Sequence, residues 1–186
     1  IGVLGGSGAL GSGLSYRLGN EGYQVLIGSR NQERASKKVN EINKRINREM
    51  VTIESNYLAA EKSDLIILAV PFSNHGAIVK EIAPVVQNKI VLDTTVPLVP
   101  PKVARVQLPE NGSVAKKTQE LLGNEVRVVS AFQNVAAIHL NGDDALSGEI
   151  LVFGNNKDAR EIIIGLIEEI GMKGWHAGSI DNSVVA

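Results

Sequence analysis

Short apolar runs alternate with stretches whose apolar residues recur at helical spacing along most of the chain, and this alternation predicts a parallel sheet with helices on both faces. The runs place strands near residues 1–4, 23–28, 51–54, 64–70, 89–93, 126–130, 149–153 and 173–177, with helices between most of them. The clearest late helix starts near Asn156, carries an apolar stripe through Ile162, Ile163, Leu166, Ile167 and Ile170, and stops at Gly171. That stripe predicts a core-packing element. Pro97 to Gly112 is the only long irregular stretch and holds four of the six prolines; loops of this length are usually functional or mobile. The pattern reads as an α/β chain with a Rossmann-type, doubly wound, mainly parallel sheet and a small C-terminal extension.

The first strand runs into Gly6-Ser7-Gly8-Ala9-Leu10-Gly11, a G-x-G-x-x-G motif that precedes an amphipathic stretch with Leu14 and Leu18. Gly6 is expected to permit the tight turn, Gly8 to let backbone approach a pyrophosphate, and Gly11 to let helix and strand pack closely. The motif alone is weak, but a second apolar strand follows where a dinucleotide-binding unit needs one. That strand ends on Gly28-Ser29-Arg30 with no acid to take a ribose diol. Ser29 offers a hydroxyl and Arg30 a charged fork to a 2′-phosphate, and Arg34 lies four residues on, so the reading is NADP(H) rather than NAD(H). The competing reading is a solvated basic face in which Lys37 and Lys38 pair with Glu33 and Glu41. Residues 1–140 are accordingly assigned to an NADP-binding Rossmann domain and 141–186 to a smaller C-terminal α/β portion.

Composition narrows the field. The chain of 186 residues carries 19 Lys and Arg against 20 Asp and Glu, and its bases are scattered among acids with few aromatics, so no nucleic-acid surface is expected. Neither a membrane span nor a signal peptide is recognisable, and the expectation is a cytoplasmic protein, with a homodimer left open. The absence of cysteine excludes disulfides, thiol redox chemistry and cysteine-rich metal sites. Ile1 begins inside a strand and Val184-Val185-Ala186 is apolar, so both natural termini are expected to lie beyond this stretch.

Open parallel sheets bind ligands beyond the carboxyl ends of their strands. After the fourth, fifth and sixth strands the chain reads Val70-Pro71-Phe72-Ser73-Asn74-His75, Thr94-Thr95-Val96-Pro97-Leu98-Val99-Pro100 and Ser130-Ala131-Phe132-Gln133-Asn134-Val135-Ala136-Ala137. These walls are apolar, with amides and hydroxyls, and suit two stacked rings exchanging hydride rather than hydrolysis; the bland alternative is ordinary loop and core packing. An alcohol dehydrogenase needs a general acid or base. His75, His139 and His176 are the histidines, and none has an evident partner nearby in sequence. His75 also reads simply as a polar residue opening a helix. No metal-ligand spacing or nucleophile elbow occurs.

Gly5-Gly6-Ser7-Gly8-Ala9-Leu10-Gly11, Ile27-Gly28-Ser29-Arg30, Pro97-Leu98-Val99-Pro100, Val129-Ser130-Ala131-Phe132, Leu108-Pro109-Glu110-Asn111-Gly112-Ser113 and Ala177-Gly178 together resemble the NADPH-dependent coenzyme F420 reductase family. The resemblance implies reversible hydride transfer between NADP(H) and the 8-hydroxy-5-deazaflavin F420 as co-substrate, without a catalytic side chain. It implies that Ser7, Gly8, Ala9 and Leu10 meet the pyrophosphate side of NADP, and Ser29, Arg30 and Arg34 its 2′-phosphate. Val70, Pro71, His75, Val99 and Ala137 are expected along the remainder of NADP. Ser130, Gln133, Asn134 and Val135 are expected to seat or hydrogen-bond the stacked rings. Some relatives carry His in place of Gln133, and the family's chain continues past Asn182-Ser183 as an apolar helix. Lys102 and Arg105 read as loop solubility rather than contacts to the anionic tail of F420. The alternatives are an NADPH-dependent reductase of an imine, ferric chelate or flavin, or a non-catalytic NADP-sensing module.

Overall fold

A computed structural model describes residues 1–99, 101, 105–110 and 112–185. The strands are β1 (Gly2–Leu4), β2 (Val25–Gly28), β3 (Val51–Glu54), β4 (Leu65–Leu68), β5 (Ile90–Asp93), β6 (Arg127–Ser130), β7 (Glu149–Gly154) and β8 (Lys173–His176). They form one sheet in the order β3-β2-β1-β4-β5-β6-β7-β8. The first six run parallel, β7 is antiparallel to β6, and β8 is parallel to β7. The helices are α1 (Ala9–Asn20), α2 (Gln32–Ile46), α3 (Asn56–Glu61), α4 (Phe72–Ile82), α5 (Val114–Leu122), α6 (Ala137–Asn141) and α7 (Lys157–Glu169). The winding direction reverses between β1 and β4, which opens a crevice at the carboxyl edge of the sheet.

Period-two alternation in the strands splits the core into two faces. Val3, Ile27, Ile67 and Leu92 face Leu14 and Leu18 of α1, Ile42 of α2 and Ile163 of α7. Leu4, Ile66, Leu68 and Val91 face Ala59 of α3, Val79 of α4 and Ala115 of α5. The helices cover both faces because both sets of strand side chains are apolar and must be shielded from water.

Short α6 is held against α1 and the end of α2 by polar contacts. Arg17 Nε donates to Leu140 O at 3.0 Å, Arg45 Nη1 donates to Asn141 O at 2.8 Å, and Asn141 Nδ2 donates to Ala9 O at 2.8 Å. A Cβ on Gly13 would stand 2.6 Å from Leu140 Cβ, so the bare α-carbon is what lets the two helices approach. This brings the start of α6, with Ala137, beside the glycine-rich turn.

Every strand expected from the sequence is present. Tyr23 and Gln24 precede β2 rather than opening it; Tyr23 Oη donates to Glu169 Oε2 at 2.5 Å, which pushes the phenol pKa up to about 12. Ala69 and Val70 lie beyond β4, where Pro71 forms the N-cap of α4. The irregular segment folds back on itself, with an antiparallel bridge between Leu98 and Val106 and Gln107 N donating to Pro97 O at 3.0 Å. Pro100, Lys102 and Asn111 lie outside the described residues.

One correction concerns α7. Asn156 caps it through a 2.8 Å bond from Ala159 N, and Gly171 stops it at φ +92°. Ile163 and Ile167 are fully buried, but Ile162 is 47% exposed. The buried row is Ala159, Ile163 and Ile167, four residues apart, and Ile162 sits a quarter-turn away from it. Ile163→Ala is expected to lower unfolding free energy by about 2–5 kcal/mol and Ile162→Ala by less than about 1 kcal/mol. Urea denaturation of both variants checks this; equal losses contradict the assigned face.

Candidate functional site

The turn between β1 and α1 forms the floor of a cleft of about 580 Å³. Its left-handed residue is Gly5, at φ +82°, and not Gly6. Gly6 is bare for a different reason: a Cβ there would fall 2.7 Å from Ile27 and 3.0 Å from Val3 O. A Cβ on Gly11 would fall 2.5 Å from Gly5 O, so helix and strand can pack this closely only around glycine. Gly8 differs again, since its nearest neighbour would be Gly5 O at 3.1 Å and the remaining space opens to the cleft. It is the N-cap of α1, without a side-chain cap or an acid in the first turn. Unfilled N–H groups and the positive end of the helix dipole therefore face the cleft, an arrangement that suits phosphate oxygens.

The cleft wall is built by Ser7, Gly8, Ser29, Arg30, Arg34, Val70 and Pro71, with Asn31, Asn56, Asn74 and Ile78 beside them. Lys37 pairs with Glu33 at 2.7 Å and Lys38 pairs with Glu41, which satisfies the basic face of α2. Arg30 and Arg34 take no part in those pairs: neither forms an ion pair with a described residue. Arg34 Nη2 only approaches Ser7 O at 3.5 Å, across the cleft mouth. Ser29 is turned inward, its Oγ bonded to Asn31 N and Asn31 O at 3.1 Å. Asn31 in turn caps α2 by accepting from Arg34 N at 2.9 Å. The turn thus sets the direction in which both guanidinium groups leave the backbone.

Other expected residues lie elsewhere. Ser130 and Gln133 border a small hollow with Thr95, Val96 and Pro97, and Val99 lines a separate hollow with Phe72 and Leu108. Ala9, Leu10 and Gly11 form the first turn of α1, with Ala137 opposite through Asn141, which bonds Ala9 O and Ala137 O. Val135 packs on the core, and Asn134 Nδ2 donates to Glu149 O at 3.3 Å. Phe132 is buried at φ +72°, a strained conformation for an aromatic residue. It turns the chain so that Gln133 Nε2 reaches Asp93 O at 3.0 Å and Ser130 Oγ at 2.8 Å.

His75 has an acidic partner after all. It is 1% exposed, and its Nε2 donates to Asp93 Oδ2 at 2.8 Å, while Thr118 Oγ1 donates to the same oxygen at 2.6 Å. Asp93 Oδ1 accepts from Thr95 N at 2.9 Å. Burial alone pushes the Asp93 carboxyl up, but the bonds and charge of His75, with Thr118 and Thr95 N, outweigh it and hold the carboxyl below its ordinary value. The partner lies 18 residues away, beyond the reach of a local sequence pattern. The available signal was an acid closing the otherwise apolar Ile90-Val91-Leu92-Asp93 strand, since a buried carboxylate requires donors. Among the described residues no helix is long and apolar enough to cross a membrane. Nor does any cluster of three His, Asp or Glu residues there suit a metal ion.

A family described as NADP oxidoreductase, coenzyme F420-dependent, matches residues 1–97. The F420-dependent NADP reductase of Methanocaldococcus jannaschii is 36% identical over 193 residues, covering 98% of this chain and 85% of the relative. That of Methanothermobacter thermautotrophicus is 30% identical over 191 residues, covering 98% and 82%. Among solved structures, a putative F420-dependent NADP reductase from Arthrobacter sp. FB24 superposes with a TM-score of 0.84 at 20% identity, covering 100% of this chain and 87% of that one. This last likeness concerns the fold.

The buried carboxylate has a pH signature. A lowered folded pKa gives stability that is present above the ordinary carboxyl value of 3.8 and lost as pH falls through the folded value. Asp93→Ala is expected to cost about 3–5 kcal/mol at neutral pH. The gap between the two proteins should narrow in acid below about pH 4. Denaturant titrations across that range check it, and a gap independent of pH contradicts the assignment.

Proposed function

The chain belongs to the family of coenzyme F420-dependent NADP oxidoreductases, and on that premise we propose that its cleft and neighbouring strand ends pass a hydride between NADP(H) and the 8-hydroxy-5-deazaflavin F420. The observation that carries this reading is the pair Arg30 and Arg34, left without carboxylates above a helix N-terminus capped only by glycine. When bound, the two cofactors supply the carbon that gives the hydride and the carbon that takes it. The protein's part is to orient them and exclude water.

In this reading the turn from Ser7 to Leu10 holds the pyrophosphate through the N–H groups of Ser7, Ala9 and Leu10, helped by the bare Gly8, whose own N–H is taken by Gly5 O at 2.8 Å, while Gly6 and Gly11 let helix and strand pack. Arg30 and Arg34 hold the 2′-phosphate, and Ser29 contributes by fixing the turn that aims them. Val70, Pro71, Val99 and Ala137 border the rest of NADP. His75 acts through Asp93, which fixes Thr95 and, through its carbonyl, Gln133. Ser130, Gln133, Asn134 and Val135 form the side toward the acceptor rings. No side chain needs to act as nucleophile; the hydride would leave the nicotinamide as its cation, and the proton that completes the reduced deazaflavin would come from solvent at the exposed ring edge. Residues 1–140 then constitute the NADP-binding portion and 141–186 a smaller portion completing the acceptor's side. A homodimer and a cytoplasmic location belong to the same proposal.

Full-length protein mixed with NADPH and oxidised F420 is expected to bleach the deazaflavin's long-wavelength absorbance, with little turnover of imines, ferric chelates or flavins. NADPH is expected to be strongly preferred over NADH. Arg30→Ala should reduce that preference roughly tenfold or more, because a charge-assisted bond to phosphate is lost. Tight NADP binding without F420 reduction, or preferred turnover of another acceptor, overturns the proposed reaction.

A further inference from the structure

Asn56 opens α3 on the side of the cleft away from α1. It is 4% exposed and lines the cleft beside Gly28, Ser29 and Arg30. The helix does not need its side chain: Ser55 is the cap, accepting from Leu58 N at 3.2 Å. Its amide forms no hydrogen bond with the side chains or backbone of the described residues, and its polar atoms open to the cleft rather than being sealed inside the protein. Room has been kept for it, since a Cβ on Gly28 would stand 2.9 Å from Asn56 Oδ1 and 2.5 Å from Leu4 Cδ2. An amide on a nearly buried residue, unpartnered within the protein and open to the cleft, is what a ligand-reading side chain looks like before its ligand binds.

Its chemistry selects the part of the ligand. Arg30 and Arg34 supply positive charge for phosphate at the same end of the cleft, whereas a carboxamide is neutral and presents one donor and one acceptor side by side. The adenine edge offers the complement, an amino donor next to a ring-nitrogen acceptor, and Asn pairs with it in two-bond geometry. Resting on the NADP reading above, we propose that Asn56 recognises the amino edge of the adenine ring and sets the base specificity of the cleft. Gly28 is then required by this residue as well as by the strand: a side chain there would displace Asn56 from the cleft wall.

The test compares NADP with 1,N6-etheno-NADP, in which the amino group and its neighbouring ring nitrogen are tied up while phosphates and ribose are unchanged. By calorimetry, full-length unmodified protein should bind NADP about tenfold more tightly than the etheno form, the scale of a good paired contact. Asn56→Ala should bind the two almost equally, with circular dichroism unchanged. Asn56→Asp keeps the size of the side chain but cannot donate, and should narrow the preference at least about threefold; it carries the test if the alanine variant does not fold. A preference that persists in the folded variants, or equal loss for both ligands, overturns the inference. Failure of the unmodified protein to bind NADP at all overturns the NADP reading itself and is thereby distinguishable.

Discussion

The close approach of α1 to the end of β1 is the constraint on which the rest depends. Gly5 takes the left-handed turn, and Gly11 lets the helix lie against Gly5 O at a distance no Cβ tolerates. Because α1 starts immediately there, its unfilled N–H groups point along the carboxyl edge of the sheet. The same approach fixes α6 through Gly13, Arg17 and Asn141. It also sets the height of Ser7 relative to the guanidinium group of Arg34. The open N-terminus of α1, the position of Ser7 against Arg34 and the location of α6 thus follow from one packing distance.

A second anchor organises the opposite side of the crevice. The sheet register aligns Leu4, Leu68, Asp93 and Ser130 across four adjacent strands. Asp93 is therefore level with the end of β1, and its carboxylate is fully buried among His75, Thr118 and Thr95 N. Its carbonyl receives the Gln133 amide. One residue consequently ties α4, α5 and the segments following β5 and β6 to a common reference. Each carboxylate oxygen of Asp93 is paired, which holds its donors in fixed positions, the property an orientation-based reaction needs.

Local chemistry was legible in the sequence and distant pairing was not. The glycine spacing, the strand ending in Ser29-Arg30 and the alternating apolar runs each express a rule acting over a few residues, and they mark the cleft and the sheet. The exchange of roles between Gly5 and Gly6 was hidden because both precede the motif's helix, and only the backbone geometry separates the turn from the close contact with Ile27. Counting apolar residues without their angle around the helix puts Ile162 in the core, whereas its angle takes it to the exposed side. His75 and Asp93 meet only because β4 and β5 are neighbours. Asn56 has no sequence signature, since its meaning comes from the empty space left by Gly28.

In the proposed function the protein is an orienting frame for direct transfer, and the path of the hydride is what distinguishes that role. Full-length protein should be supplied in ordinary water with F420 and NADPH carrying deuterium stereospecifically at nicotinamide C4, each of the two faces being labelled in turn. The label found on deazaflavin C5 by mass spectrometry and proton resonance measures that path. One labelled face is expected to deliver its deuterium to C5 almost quantitatively, and the other to retain it on the nicotinamide. Reduced deazaflavin without deuterium from either face would contradict direct transfer, because the hydrogen would then have passed through an exchanging protein group or the solvent.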